Sequence, residues 1–156
     1  MTDRIRWGRG ARYLLPPLLW MAFIFAMSTD RGSSANTRPV LASILRGYLP
    51  SLAARMPAAT VDRIDFAIRK GSHVTEYAIL GFLLLRALQG LGKPEDARRR
   101  VALAWFVAVA YAASDEWHQS FVPSRGATPV DVLYDAFGST LGVFVRSRGA
   151  FVRSRR

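Results

Sequence analysis

Four apolar runs, separated by charged or turn-forming segments, set the pattern of this chain. The first is Tyr13 to Ser28, YLLPPLLWMAFIFAMS. The second covers about residues 72–88 around VTEYAILGFLLLRAL, the third about residues 101–117, and the fourth residues 130–145. A hydrocarbon core needs about 20 predominantly apolar residues per helix. The pattern therefore predicts an all-α fold, an integral membrane bundle of about four transmembrane helices. Pro16 and Pro17 fall near the start of the first run, where helix N–H groups lack partners anyway. Gly90, Gly92 and Pro94 stop the second. At about 1.5 Å per residue the fourth run reaches only about 24 Å, so it must extend at one end or sit in a thinned bilayer.

Between the first two runs, Gly32, Ser33, Ser34 and Asn36 read as loop, and Pro39, Pro50 and Pro57 punctuate two short segments. Leu41, Ile44, Leu45 and Tyr48 share a helical face, as Val61, Ile64, Phe66 and Ile68 do less regularly. Short amphipathic helices lying on the first outer loop are expected there. The organisation is then a basic N-terminus (1–12), a membrane domain (13–145) and a basic tail (146–156).

Charge fixes a direction. The chain has 22 Lys and Arg against 11 Asp and Glu, a net charge of +11, although half of it is apolar. The arginines bracket the apolar runs instead of lining one polar face, which disfavours a nucleic-acid binder. Four precede the first run, Arg86 ends the second, four lie between Lys93 and Arg100, and five follow the last, making 14 of the 22. The positive-inside bias puts these in the cytoplasm, with both termini. Small residues Ala26 and Ser28 also allow the first run to be a cleaved signal peptide. With no cysteine in the chain, disulfides and thiolate metal sites are excluded.

With that topology the unusual polar residues gather at one membrane face. Lys70, His73, Glu76 and Tyr77 open the second span, Asp115, Glu116, His118 and Gln119 close the third, Arg125 lies in the connecting loop, and Asp131 and Asp135 open the fourth. Lys70, His73 and Tyr77 share a helical face, Asp115 pairs with Gln119 at i, i+4, and so does Asp131 with Asp135. Gly138 and Gly142 continue that face in the small-xxx-small spacing that lets membrane helices approach closely. Five carboxylates (Glu76, Asp115, Glu116, Asp131, Asp135) stand against two cations, Lys70 and Arg125. Charges this near hydrocarbon face the bundle interior, where they pair or serve a function. The surplus suits a divalent metal with His73, Asp115 and Glu116 as candidate ligands, a proton relay, or acid/base chemistry by Glu76, Asp115, Glu116 or His73. Lys70, Tyr77, Gln119, Arg125, Asp131 and Asp135 are the candidate ligand-binding residues, Arg125 through a bidentate grip on phosphate. The competing reading is a charge network that only fixes helix packing.

Three blocks in order make a specific pattern: Lys70-x-x-His73-x-x-Glu76-Tyr77-x-x-Leu80-Gly81, then Ser114-Asp115-Glu116-x-His118-Gln119-x-Phe121-Val122-Pro123-x-Arg125, then Asp131-x-x-x-Asp135-x-x-Gly138-x-x-x-Gly142. This resembles the VanZ-like family of small bacterial membrane proteins from about Lys70 to Val145. Before Lys70 the likeness is limited to a first span ending in serines. The resemblance implies a multi-pass protein of the bacterial inner membrane and cell envelope. The family's namesake is associated with low-level resistance to the glycopeptide antibiotic teicoplanin. It implies no established reaction, and where the family often has asparagine this chain has Asp135.

The expected function is an envelope protein whose extracytoplasmic polar pocket recognises or modifies a lipid-linked or glycopeptide-like ligand, with the bilayer as its constant partner and homo-oligomerisation left open. The alternatives are a non-catalytic scaffold and a proton-coupled transporter, for which four short spans leave little room.

Overall fold

The computed structural model describes residues 2–91, 97–126 and 128–153, and these are helical with no strand among them. The order is α1 (Thr2–Met27), a 3-10 turn (Asp30–Gly32), α2 (Ser34–Tyr48), α3 (Pro50–Arg55), α4 (Ala58–Leu91), α5 (Ala97–Gln119) and α6 (Pro129–Arg153). Helix α4 is the axis, packed against α6 most extensively and against α5 and α1 as well.

Several boundaries differ from the sequence reading. Helix α1 begins at Thr2, so Pro16 and Pro17 lie in its interior, where each removes a backbone donor. Ser34 and Asn36 belong to α2 instead of a loop. The segment from Val61 to Ile68 is no separate surface helix, because α4 runs without a break from Ala58. No glycine or proline interrupts it before Gly71, and its 34 residues extend about 51 Å, against a hydrocarbon core of about 30 Å. Its first turns therefore stand clear of any bilayer that its apolar half occupies, with α2 beside them. Helix α6 continues past Val145 through Arg146 and Arg148 to Arg153, so it is longer than the apolar run at 130–145. The stop residues Gly92 and Pro94 lie outside the described residues.

Side-chain placement inverts the pattern of a water-soluble bundle. The interior holds Ile24, Tyr77, Leu80 and Leu85 together with the Ala104, Ala108 and Ala112 stripe of α5, and also Asp115, Glu116, Asp131 and Asp135. Large apolar side chains face outward: Phe106 is 65% exposed, Leu133 68%, Phe137 57% and Leu19 60%. Small residues inside and large ones outside are what lipid selects, since association there rests on close backbone packing. Helices α1 (from Gly10) and α4 are long and apolar enough to cross a membrane.

Glycines set the α4–α6 distance. A Cβ on Gly138 or Gly142 would run into the Val74 or Ala78 carbonyl of α4, and one on Gly81 would lie 2.7 Å from the Ser139 carbonyl of α6. The two helices run parallel, with residues near 70 beside those near 131 and Ala78 beside Gly142.

Candidate functional site

The C-terminal end of α1, residues 69–77 of α4, the end of α5 and the start of α6 meet at one end of the bundle. Parallel packing of α4 on α6 brings matching helical steps together. Lys70 Nζ donates to Asp131 Oδ1, and one turn on, His73 Nδ1 lies 3.1 Å from Asp135 Oδ1. Asp135 is 1% exposed, and Lys70 Nζ also lies over the rings of Phe66 and Tyr134.

Helix α5 supplies the opposite wall. Gln119 Nε2 donates to Asp115 Oδ2 at 3.0 Å and reaches Ser28 Oγ at 3.4 Å, so the i, i+4 pair also reaches α1. Glu116 Oε1 accepts the Thr128 backbone N–H. Asp115 Oδ1, Glu116 Oε2 and the Tyr77 hydroxyl are buried without hydrogen-bond partners among the described residues. Two long-range bonds hold the middle of helix α1: Trp20 Nε1 donates to the Glu76 carbonyl at 2.8 Å, and the Tyr111 hydroxyl donates to the Met21 carbonyl at 2.7 Å.

The α5–α6 loop is tied back to α1. Arg125 donates through Nε and Nη2 to the Thr29 carbonyl at 3.2 and 3.1 Å and through Nη2 to the Met27 carbonyl. It thus satisfies carbonyls that the helix end leaves open. Gly32 is required beside it, because a Cβ there would collide with the guanidinium. Burial pulls the Arg125 pKa below its ordinary value, while Asp115, Glu76 and Glu116 act in the other direction.

Beside Arg125, Asp30 accepts from Ser124 Oγ and from Asn36 and Ser33 at 3.3 Å. These bonds, Ser124 first, hold its pKa below the usual carboxylate range. A depressed folded pKa means stabilisation that is complete above the unfolded value and is lost as pH falls through the folded one. We predict that the wild-type melting temperature in detergent falls in this acid range by more than that of Asp30→Asn, the two differing in slope only below about pH 4. Parallel curves would remove Asp30 as a contributor.

Two cavities open here. One of about 460 Å³ is lined by Arg69, Lys70, His73, Gln119, Arg125 and Asp131, with Phe66, Val130 and Tyr134 on its apolar side. A neighbour of about 110 Å³ is lined by Glu76, His73, Ser72, Ser28, Arg69 and Arg125. Of the residues singled out from sequence, Lys70, His73, Glu76, Gln119, Arg125 and Asp131 line these spaces. Asp115 and Glu116 back the wall through Gln119 and Thr128, Asp135 stands behind His73, and Tyr77 is packed in the core with Ile24 and Leu80. His118 stacks on Phe25. Among the described residues no three His, Asp or Glu side chains form a group that could hold a metal ion, so the ligand set His73, Asp115 and Glu116 does not assemble. Arg69 is the residue that sequence reading missed. It pairs with Asp65 at 3.2 Å and lies four residues before His73 on the same face, the spacing that could have found it.

No curated protein and no solved structure matches this chain. The VanZ/LLP1 family model does match, over residues 13–148. The likeness visible from about Lys70 to Val145 therefore extends back through α1, whose end closes the site. With its outward-facing apolar side chains and two helices able to cross a bilayer, this all-helical membrane protein belongs to the VanZ/LLP1 family.

Proposed function

We propose that the chain spans the bacterial inner membrane four times, with both termini cytoplasmic, and that its outward-facing pocket recognises the anionic headgroup of a lipid-linked envelope ligand. The carrying observation is the 460 Å³ cavity, where Arg69, Lys70, Arg125 and His73 face an apolar wall of Phe66, Val130 and Tyr134. A cationic cleft with one apolar side suits a phosphorylated headgroup that remains attached to its chain. The exposed large residues of α5 and α6, among them Leu103, Phe106, Leu133 and Phe144, support their assignment as spans. A modifying activity would rest on His73 and Glu76, which line the cavities, with Asp115 and Glu116 positioning Gln119 and Thr128.

The test is binding of a polyprenyl phosphate, against the neutral polyprenol, to purified protein in nanodiscs. The phosphate is expected to bind preferentially, with a preference that shrinks as salt rises. Equal binding of the two would defeat the reading. Glu76→Gln removes one negative charge from the cavity and is expected to bind the phosphate at least as tightly as wild type. Any turnover should fall by about 100-fold or more, the usual contribution of an acid/base group. Reporter fusions after Val122 and Leu91 test the orientation, with phosphatase activity expected only at Val122.

A second reading has an observation of its own. Lys70, Arg69 and Arg125 each already have a protein partner, as in a scaffold whose charges only hold helices together.

A further inference from the structure

At the opposite end of the bundle, an apolar groove of about 720 Å³ lies between α5 and α6. Its walls are Val101, Ala102, Trp105 and Phe106 of α5 and Val143 and Phe144 of α6, with Arg98 and Ser147 at its mouth. Trp105 Nε1 donates to Thr140 Oγ1 at 3.0 Å, so the indole presents its ring to the groove without an unmet donor. This groove shares no residue with the polar pocket.

Charge identifies what fills it. Arg98 lines the groove and is followed in sequence by Arg99 and Arg100, with Glu95 and Asp96 before it; on α6, Arg148 lies over the ring of Phe144, a wall residue, and Arg146 over that of Phe82. An apolar slot with Arg98 in its lining and Arg148 on its Phe144 wall matches a two-part molecule, with acyl chain inside and anionic head at the rim. Basic pockets between membrane helices hold acidic lipid headgroups in this way. We infer that the α5–α6 groove is a binding site for an anionic phospholipid, with an acyl chain along Val101, Trp105 and Phe144 and the phosphate at Arg98. The inference requires the bundle to be in a bilayer but is independent of what the polar pocket binds.

Trp105 makes the site observable. Full-length protein is placed in phosphatidylcholine nanodiscs containing a small fraction of either phosphatidylglycerol or phosphatidylcholine with brominated acyl chains. The signal of Trp105 is the difference between wild type and Trp105→Phe. Brominated phosphatidylglycerol should quench this signal with an apparent affinity about fivefold or more above brominated phosphatidylcholine, the effect of about one basic residue near an anionic lipid. Arg98→Gln should remove the preference. Ala102→Phe, which fills the groove from an exposed position, should protect Trp105 from both lipids. Equal quenching by the two lipids in wild type would reduce the groove to ordinary lipid contact and overturn the inference. So would a preference that survives Arg98→Gln. Exclusion of both quenchers from Trp105 in a wild-type dimer would assign the groove to a second copy and overturn it as well.

Discussion

Gly142→Leu is expected to separate α6 from α4 and abolish the folded bundle's polar pocket, while Gly149→Ala on the same helix leaves it intact. The Cβ at position 142 would enter the Ala78 carbonyl and crowd the Phe82 amide, both backbone groups that no rotamer change can move. Nothing lies within 4 Å of a Cβ at Gly149. Overpacking of a tight interface costs about 1–3 kcal/mol even where side chains can adjust. Here the helices themselves must move, so the loss should reach at least about 3 kcal/mol. Gly149→Ala should be neutral or stabilise by up to about 1 kcal/mol, since alanine is the better helix former. Unfolding titrations with a denaturing detergent would read both. A Gly142→Leu protein as stable as wild type would mean that α4 and α6 are not in contact along this seam.

That seam was legible in the sequence because small residues at a spacing of four have one main use in a membrane helix. The ion pairs were not, although their residues were. Lys70 had Glu76, Asp115, Glu116, Asp131 and Asp135 as conceivable partners, and the rotation of α6 against α4 decides among them. Once Gly138 sits on Val74 and Gly142 on Ala78, a parallel helix can only place Asp131 by Lys70 and Asp135 by His73. Tyr77 shows the converse failure. It shares the face of Lys70 and His73 on a helical wheel, but α1 crosses α4 at that level, and Ile24 and Trp20 pack it into the core. The apolar pattern of Val61 to Ile68 signals a short surface helix but is too irregular to show that it joins the apolar run after Lys70 as one helix. Arg69 was lost at that join.

Those pairings also reverse the charge argument. A surplus of carboxylates over Lys70 and Arg125 pointed to a metal or a relay. In the structure Arg69 joins the cations, Asp131 and Asp135 are engaged by Lys70 and His73, and Asp115 and Glu116 hold wall residues. The charged side chains that line the cavities are Arg69, Lys70 and Arg125 against Glu76 and Asp131, with His73 beside them. A carboxylate count along the chain cannot show this, because it does not know which groups point into a space and which point into a neighbour.

The Lys70–Asp131 pair separates binding from scaffolding. Their side chains are 18% and 7% exposed, so Lys70→Met leaves a largely buried carboxylate without its partner, and the expected cost is about 3–5 kcal/mol. Asp131→Leu should cost about as much by stranding the ammonium. The double variant, Lys70→Met with Asp131→Leu, removes both charges and fills similar volume, so stability should return to within about 1 kcal/mol of wild type. If the pair is structural only, function returns with stability. If Lys70 holds an anionic headgroup, the refolded double variant still fails to prefer polyprenyl phosphate over polyprenol, with affinity for the phosphate at least tenfold down, about 1.4 kcal/mol. A double variant that is stable and binds normally would leave the cavity to Arg69 and Arg125 and make the Lys70–Asp131 bond a helix clamp.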